Sequence, residues 1–148
     1  MPLESQRIEV VLETLLESVT LAERIAVSVA ATAGFSEDDQ YKIGVAVHEG
    51  VANAFRYGNE QQRERKIHVL FELFDEKMVI HVADQVMGFR LEDIPDPRTD
   101  ENMLKDSGRG ILLMRTFMDE FDVQAVRGGG TEVIMAKLHR AHRKLQAM

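Results

Sequence analysis

Glu49 and Asn53 stand four residues apart in a segment of helical periodicity, which makes their side chains neighbours on one helix face. An amide oxygen can ligate a hard cation, and a carboxylate can take a proton from a hydroxyl or water. Together the pair suits a magnesium-bound phosphate. Asp84 ends an alternating apolar run at a position whose register aims it toward the core. Phosphates repel carboxylates, so within a nucleotide its natural partner is the amino group of adenine. Gly108-Arg109-Gly110 precedes a helical pattern; glycines let backbone amides approach phosphate, and a helix N-terminus favours anions. Arg109 serves either phosphate or solvent. Thr131 opens a strand in register with Val133 and Met135, which predicts an inward position near Asp84. Each feature alone also has an ordinary structural reading: a polar helix face, a turn-capping carboxylate, a turn glycine, a β-branched strand residue.

The elements that must position these residues follow from periodicity and punctuation. Ile8, Val10 and Val11 mark a strand over 7–13, and 15–33 reads as a helix stopped by Gly34. Ser36 is the expected N-cap of the next helix, with Glu37, Asp38 and Asp39 in its first turn complementing the helix dipole. That helix is expected to run through Ile43, Val47 and Val51 to about Tyr57, with Gly58 as its stop. Ile67, Val69, Phe71 and Leu73 alternate with period two, as do Met78, Ile80 and Val82 after a turn at 75–77. The pattern then vanishes from Gln85 to Ser107, a stretch with Gly88, Pro95 and Pro97 and the length of a functional lid. A helix through Ile111, Leu112, Met114 and Phe117, a hairpin of 121–127 with 131–138 around Gly128-Gly129-Gly130, and a terminal helix complete the chain. Strands clustered beside helices without strict alternation predict an α+β two-layer sandwich, a mostly antiparallel sheet with helices on one face.

A chain of 148 residues with 45% apolar content suits one domain, 1–148, around one core. It has no cysteine, which excludes disulfides, thiolate zinc sites and cysteine nucleophiles. A net charge of −7 argues against sequence-independent nucleic-acid binding. The basic run of His139, Arg140, His142, Arg143 and Lys144 reads as a solvated helix face. No apolar stretch reaches the length of a spanning helix, so no membrane is expected. Met1-Pro2-Leu3-Glu4 lacks the basic-then-apolar pattern of a secretion signal, and a cytoplasmic location is expected.

Taken together and in order, these pieces resemble the ATP-binding domain shared by gyrase, the heat-shock chaperone, sensor histidine kinases and anti-sigma factors. Val47-His48-Glu49-Gly50-Val51-Ala52-Asn53-Ala54-Phe55-Arg56-Tyr57-Gly58-Asn59 looks like the asparagine-containing box. Ala83-Asp84-Gln85-Val86-Met87-Gly88-Phe89 and Ser107-Gly108-Arg109-Gly110-Ile111-Leu112-Leu113-Met114 look like the two glycine boxes, and Gly129-Gly130-Thr131-Glu132-Val133 like the closing threonine motif. The short chain, the Pro95-Asp96-Pro97 lid and Met118-Asp119 are most similar to the anti-sigma factor serine-protein kinases. The resemblance implies Glu49 as general base, Asn53 as magnesium ligand, and Asp84 as adenine reader helped by Thr131. It assigns Gly88, Gly108, Arg109 and Gly110 to the base pocket and lid. It implies ATP and magnesium as cofactors, an anti-anti-sigma protein phosphorylated on serine, a sigma factor sequestered in that protein's absence, and a homodimer. The chain departs from the family at Tyr57, where histidine is frequent, and at Val86, where the first glycine box has glycine. A β-branched residue lacks glycine's backbone freedom, so a non-catalytic anti-sigma or regulatory module with a weak or vestigial ATP site is the alternative reading.

Overall fold

Apolar residues at every second position build a sheet with one buried face. In the computed structural model, which describes residues 5–85, 106–126 and 129–140, Ile67, Val69 and Phe71 of one strand lie beside Met78, Ile80 and Val82 of the next, all six buried. Five strands form the sheet: β1 (Gln6–Glu13), β2 (Lys66–Leu73), β3 (Lys77–Ala83), β4 (Glu120–Ala125) and β5 (Thr131–Leu138). Their order is β1-β2-β3-β5-β4, and every pairing is antiparallel. Val133 and Met135 extend the buried face onto β5. On the opposite face, His81 reaches Glu72 with one ring nitrogen and Glu132 with the other, each at 2.8 Å, tying β2, β3 and β5 together.

Among the described residues three helices cover the buried face: α1 (Leu16–Thr32), α2 (Glu37–Asn53) and α3 (Asp106–Phe117). α2 packs against both α1 and α3. Val19, Ala22 and Ala26 of α1, Ile43, Val47 and Val51 of α2, and Ile111 and Met114 of α3 join the core. Burying a side chain of the size of Ile43 or Phe71 contributes about 1.5–3 kcal/mol. The two-layer α+β architecture is therefore the one that the alternation and helical periodicities predict.

Element ends show where local signals rule and where they yield. α1 stops at Gly34, which takes a positive φ of 91°. Ser36 caps α2, its hydroxyl oxygen accepting from the Asp39 N–H at 3.2 Å. α2 does not reach Tyr57 as an α-helix. It is α-helical to Asn53 and then widens into one π-helical turn, Ala54–Gly58, in which the Asn59 N–H reaches back to the Ala54 carbonyl at 2.8 Å. α3 is already helical at Asp106, ahead of Ile111. Gly108, Arg109 and Gly110 therefore lie inside the helix and not ahead of it. Residues 86–105 of the expected lid, Val86 and Gly88 among them, and the terminal helix beyond residue 140 lie outside the described residues.

Glu13, at the end of β1, pairs with Arg63 in the loop that follows the π turn. The hydrogen bond from Arg63, and then its charge, hold the Glu13 carboxyl below the usual carboxylate range. A carboxylate depressed in the fold contributes stability at neutral pH, and that contribution is lost as pH falls through the folded value. The pair is solvent-exposed and so screened by salt. Carbon-detected NMR titration should find Glu13 moving back toward the ordinary value in Arg63→Ala, and part of the way in the native protein at 1 M salt (a Debye length of about 3 Å). A Glu13 midpoint unmoved by the substitution would discount the pair.

Candidate functional site

Two clusters of side chains form around the end of α2. In the first, Glu49 and Asn53 on α2 face Gly110 on α3. A methyl group on Gly110 would lie 3.0 Å from Glu49 Oε2 and 3.4 and 3.5 Å from the Asn53 amide atoms Nδ2 and Oδ1. A side chain there would press on the Glu49 carboxylate. Lacking a side chain, Gly110 contributes space at this contact. Arg109 is exposed in the same turn.

Asn53 is 6% exposed, and its Nδ2 has no hydrogen-bond partner among the described residues. Such an atom costs about 1–3 kcal/mol, which a bound ligand would relieve. Turning the amide over exchanges nitrogen for oxygen at the same place, presenting a lone pair suited to a hard cation. Among the described residues no three His, Asp or Glu side chains gather as a metal cage. Magnesium commonly takes one or two protein ligands and completes its shell with phosphate oxygens and water. A single buried amide beside a half-buried carboxylate fits that donor set.

The second cluster surrounds Asp84, which follows β3 and is 9% exposed. Its Oδ1 accepts the Thr131 N–H at 3.0 Å, and its own N–H donates to the Thr131 carbonyl at 3.0 Å. Thr131, 3% exposed, thus lies beside Asp84 at the start of β5. Two glycines close on the same residue. A methyl group on Gly58 would lie 2.1 Å from Asp84 Oδ2, and one on Gly130 would lie 2.3 Å from the Asp84 carbonyl oxygen. Gly130 also has a φ of 99°, a backbone conformation that side-chain-bearing residues rarely adopt. The widened turn after α2 carries Gly58 against the carboxylate.

The structure thus brings Glu49, Asn53 and Gly110 together, and Asp84 and Thr131 together. The turn that leaves Asn53 arrives at Asp84. Gly58 and Gly130 are additions that residue-type reasoning did not supply. Gly58 reads in the sequence as a helix stop, and its long-range approach to Asp84 has no local signal.

Residues 12–137 match the family described as the histidine kinase-like ATPase domain. An anti-sigma F factor of Clostridium beijerinckii is 28% identical over 130 residues, covering 82% of this chain and 91% of that protein. A serine-protein kinase RsbW of Bacillus licheniformis is 31% identical over 115 residues, covering 74% of this chain and 71% of that protein. The crystal structure of the RsbU and RsbW domains of a Mycobacterium tuberculosis protein superposes with a TM-score of 0.66 at 17% identity, over 91% of this chain. This chain spans 33% of that longer one. At that identity the likeness speaks for the fold.

Proposed function

Since the chain belongs to the histidine kinase-like ATPase family, in its anti-sigma factor and serine-protein kinase branch, we propose that it is an ATP-dependent serine kinase acting on a small anti-anti-sigma protein and an anti-sigma factor that sequesters a sigma factor. The observation that carries the proposal is the buried Asn53 amide, whose Nδ2 has no partner among the described residues, beside the Glu49 carboxylate under Gly110. Bound magnesium–ATP supplies the transferable phosphoryl group. Asn53 holds the metal through its amide oxygen. Glu49 accepts the proton of the partner's serine hydroxyl, positioned from the same helix face one turn away. Asp84 accepts a hydrogen bond from the adenine amino group, its carboxylate oriented by the Thr131 N–H. The N–H groups at the start of α3 favour the anionic phosphates. Phosphoryl transfer asks a protein mainly for positioning, charge stabilisation and a base, and these residues offer each.

Calorimetric titration with a non-hydrolysable ATP analogue and its guanine counterpart, with and without magnesium, tests this. The native protein should prefer the adenine nucleotide. Asn53→Ala should weaken binding chiefly in the presence of magnesium. Asp84→Asn should erode the preference by roughly tenfold, the scale of a hydrogen bond to a charged group. Equal binding of both nucleotides by the native protein would remove Asp84 as the base reader. Val86, in place of a motif glycine, favours a second reading in which the domain binds partners without transferring phosphate. Nucleotide binding without phosphate transfer to any serine-bearing partner would support it.

A further inference from the structure

A buried side chain outside the two clusters bonds to the segment that carries one of them. Asn59 follows the π turn and is fully buried. Its Nδ2 donates to Thr14 Oγ1 at 2.8 Å and to the Lys66 carbonyl at 3.1 Å. Its Oδ1 accepts the N–H of Gln85 at 2.9 Å. One amide therefore joins the residue after β1, the first residue of β2 and the second residue after β3. The Gln85 side chain returns to the same place, its Oε1 accepting the Lys66 N–H at 2.6 Å. The Thr14 hydroxyl, accepting from Asn59, donates onward to the Arg65 carbonyl. The chain leaves Asn59 through Glu60 and Gln61, both at positive φ of 51° and 59°. Two consecutive non-glycine residues persist in that region only where surrounding bonds over-determine them.

We propose that Asn59 is the positioning residue for base selection. It acts through the Gln85 amide to fix the carboxylate of Asp84, and this rests on the adenine-reading role given to Asp84 above. The Asp84–Gln85 peptide is held from two directions. On the β5 side, Thr131 makes both backbone-linked bonds to Asp84. On the β2 side, Asn59 Oδ1 takes the next N–H along the chain. Gly58, the neighbour of Asn59, meets the Asp84 carboxylate itself. Fixing Asn59 thus fixes both the wall against Asp84 and the peptide that follows it. With the Gln85 N–H released, the peptide that follows Asp84 loses its hold on the β2 side, and an acceptor whose backbone shifts distinguishes an amino group from a carbonyl oxygen poorly. The cluster of Glu49, Asn53 and Gly110 is not bonded to Asn59, so the metal-dependent part of binding should persist.

Three variants separate positioning from plain stability, each measured for melting temperature and for adenine over guanine nucleotide affinity with magnesium present. Asn59→Ala removes all three bonds and should reduce the adenine preference by roughly tenfold, while the magnesium dependence of binding remains. Asn59→Asp keeps the shape and the acceptor for Gln85 but loses the donors, so it should melt earlier and keep its preference. Thr14→Val removes one bond of the amide on the side away from Gln85, and should also melt earlier and keep its preference. If Asn59→Ala retains the native preference, or if the folded Asn59→Asp or Thr14→Val variant loses it, Asn59 is structural only. Should Asn59→Ala fail to fold, the other two variants still decide. A native protein that binds nucleotide without preferring adenine would instead remove the role of Asp84, and the inference with it.

Discussion

Glu49→Gln is expected to slow phosphoryl transfer to a serine-bearing partner by roughly 10²–10⁴-fold, with little change in magnesium–ATP affinity. Glutamine matches glutamate in size and keeps an acceptor oxygen, but it cannot take a proton. Gly110 leaves just enough room for Glu49 Oε2, since a methyl group there would sit 3.0 Å away. The isosteric change should therefore leave the packing of α2 on α3 intact. Asn53, four residues on and the proposed metal ligand, is untouched, which is why binding and rate should part. The measurement is transfer of labelled phosphate to the partner in single turnover, beside calorimetry on the same preparations. Transfer at the native rate would take Glu49 out of the chemistry. Free phosphate with no labelled partner would make the reaction an ATPase. Gly110→Ala is a useful companion: it presses on the tip of a flexible side chain, so its effect should fall on rate more than on affinity.

The sheet and helices were largely legible because their signals are local. Period-two alternation located β2 and β3 to within a residue or so at their ends, and Gly34 and Ser36 bracketed the gap between α1 and α2. The same local reading placed Glu49 and Asn53 on one face, since helical spacing alone guarantees it. Two features were not legible for the same physical reason. The π turn and the helical state of residues 106–110 accompany contacts made across the fold: Gly58 against Asp84, and Gly110 against Glu49. A glycine near a helix end carries one local message, that the helix stops, whatever lies opposite it. Asn59 was hidden more deeply. Its three side-chain partners are Thr14, Lys66 and Gln85, and two of them are far away in sequence. An asparagine after Gly58 reads as a turn residue, and only burial distinguishes a bolt from a turn.

Gly58→Ala should be the most damaging small substitution at the base end of the site. Its methyl group would sit 2.1 Å from Asp84 Oδ2, 2.4 Å from Cγ and 2.9 Å from Cβ. These atoms belong to one short, stiff side chain, so no minor rotation clears all three. Retreat is closed as well. Gly130 stands against the Asp84 carbonyl on another side, and the Thr131 N–H grips Oδ1. Either the carboxylate leaves its place or the π turn unwinds and strains the bonds of Asn59. Overpacking of this kind costs about 1–3 kcal/mol of stability. Displacing the proposed base reader should in addition reduce adenine-nucleotide affinity by roughly tenfold to a hundredfold. Gly129→Ala supplies the control. Gly129 has a positive φ of 115°, yet a methyl group there meets nothing within 4 Å. That variant carries backbone strain without a clash, so it should lower the melting temperature and leave nucleotide affinity near native. Comparing the two by thermal melting and calorimetry isolates the contact with Asp84 from general destabilisation. If folded Gly58→Ala binds the adenine nucleotide as tightly and as selectively as the native protein, the placement of Asp84 between two glycines has no part in recognising the base.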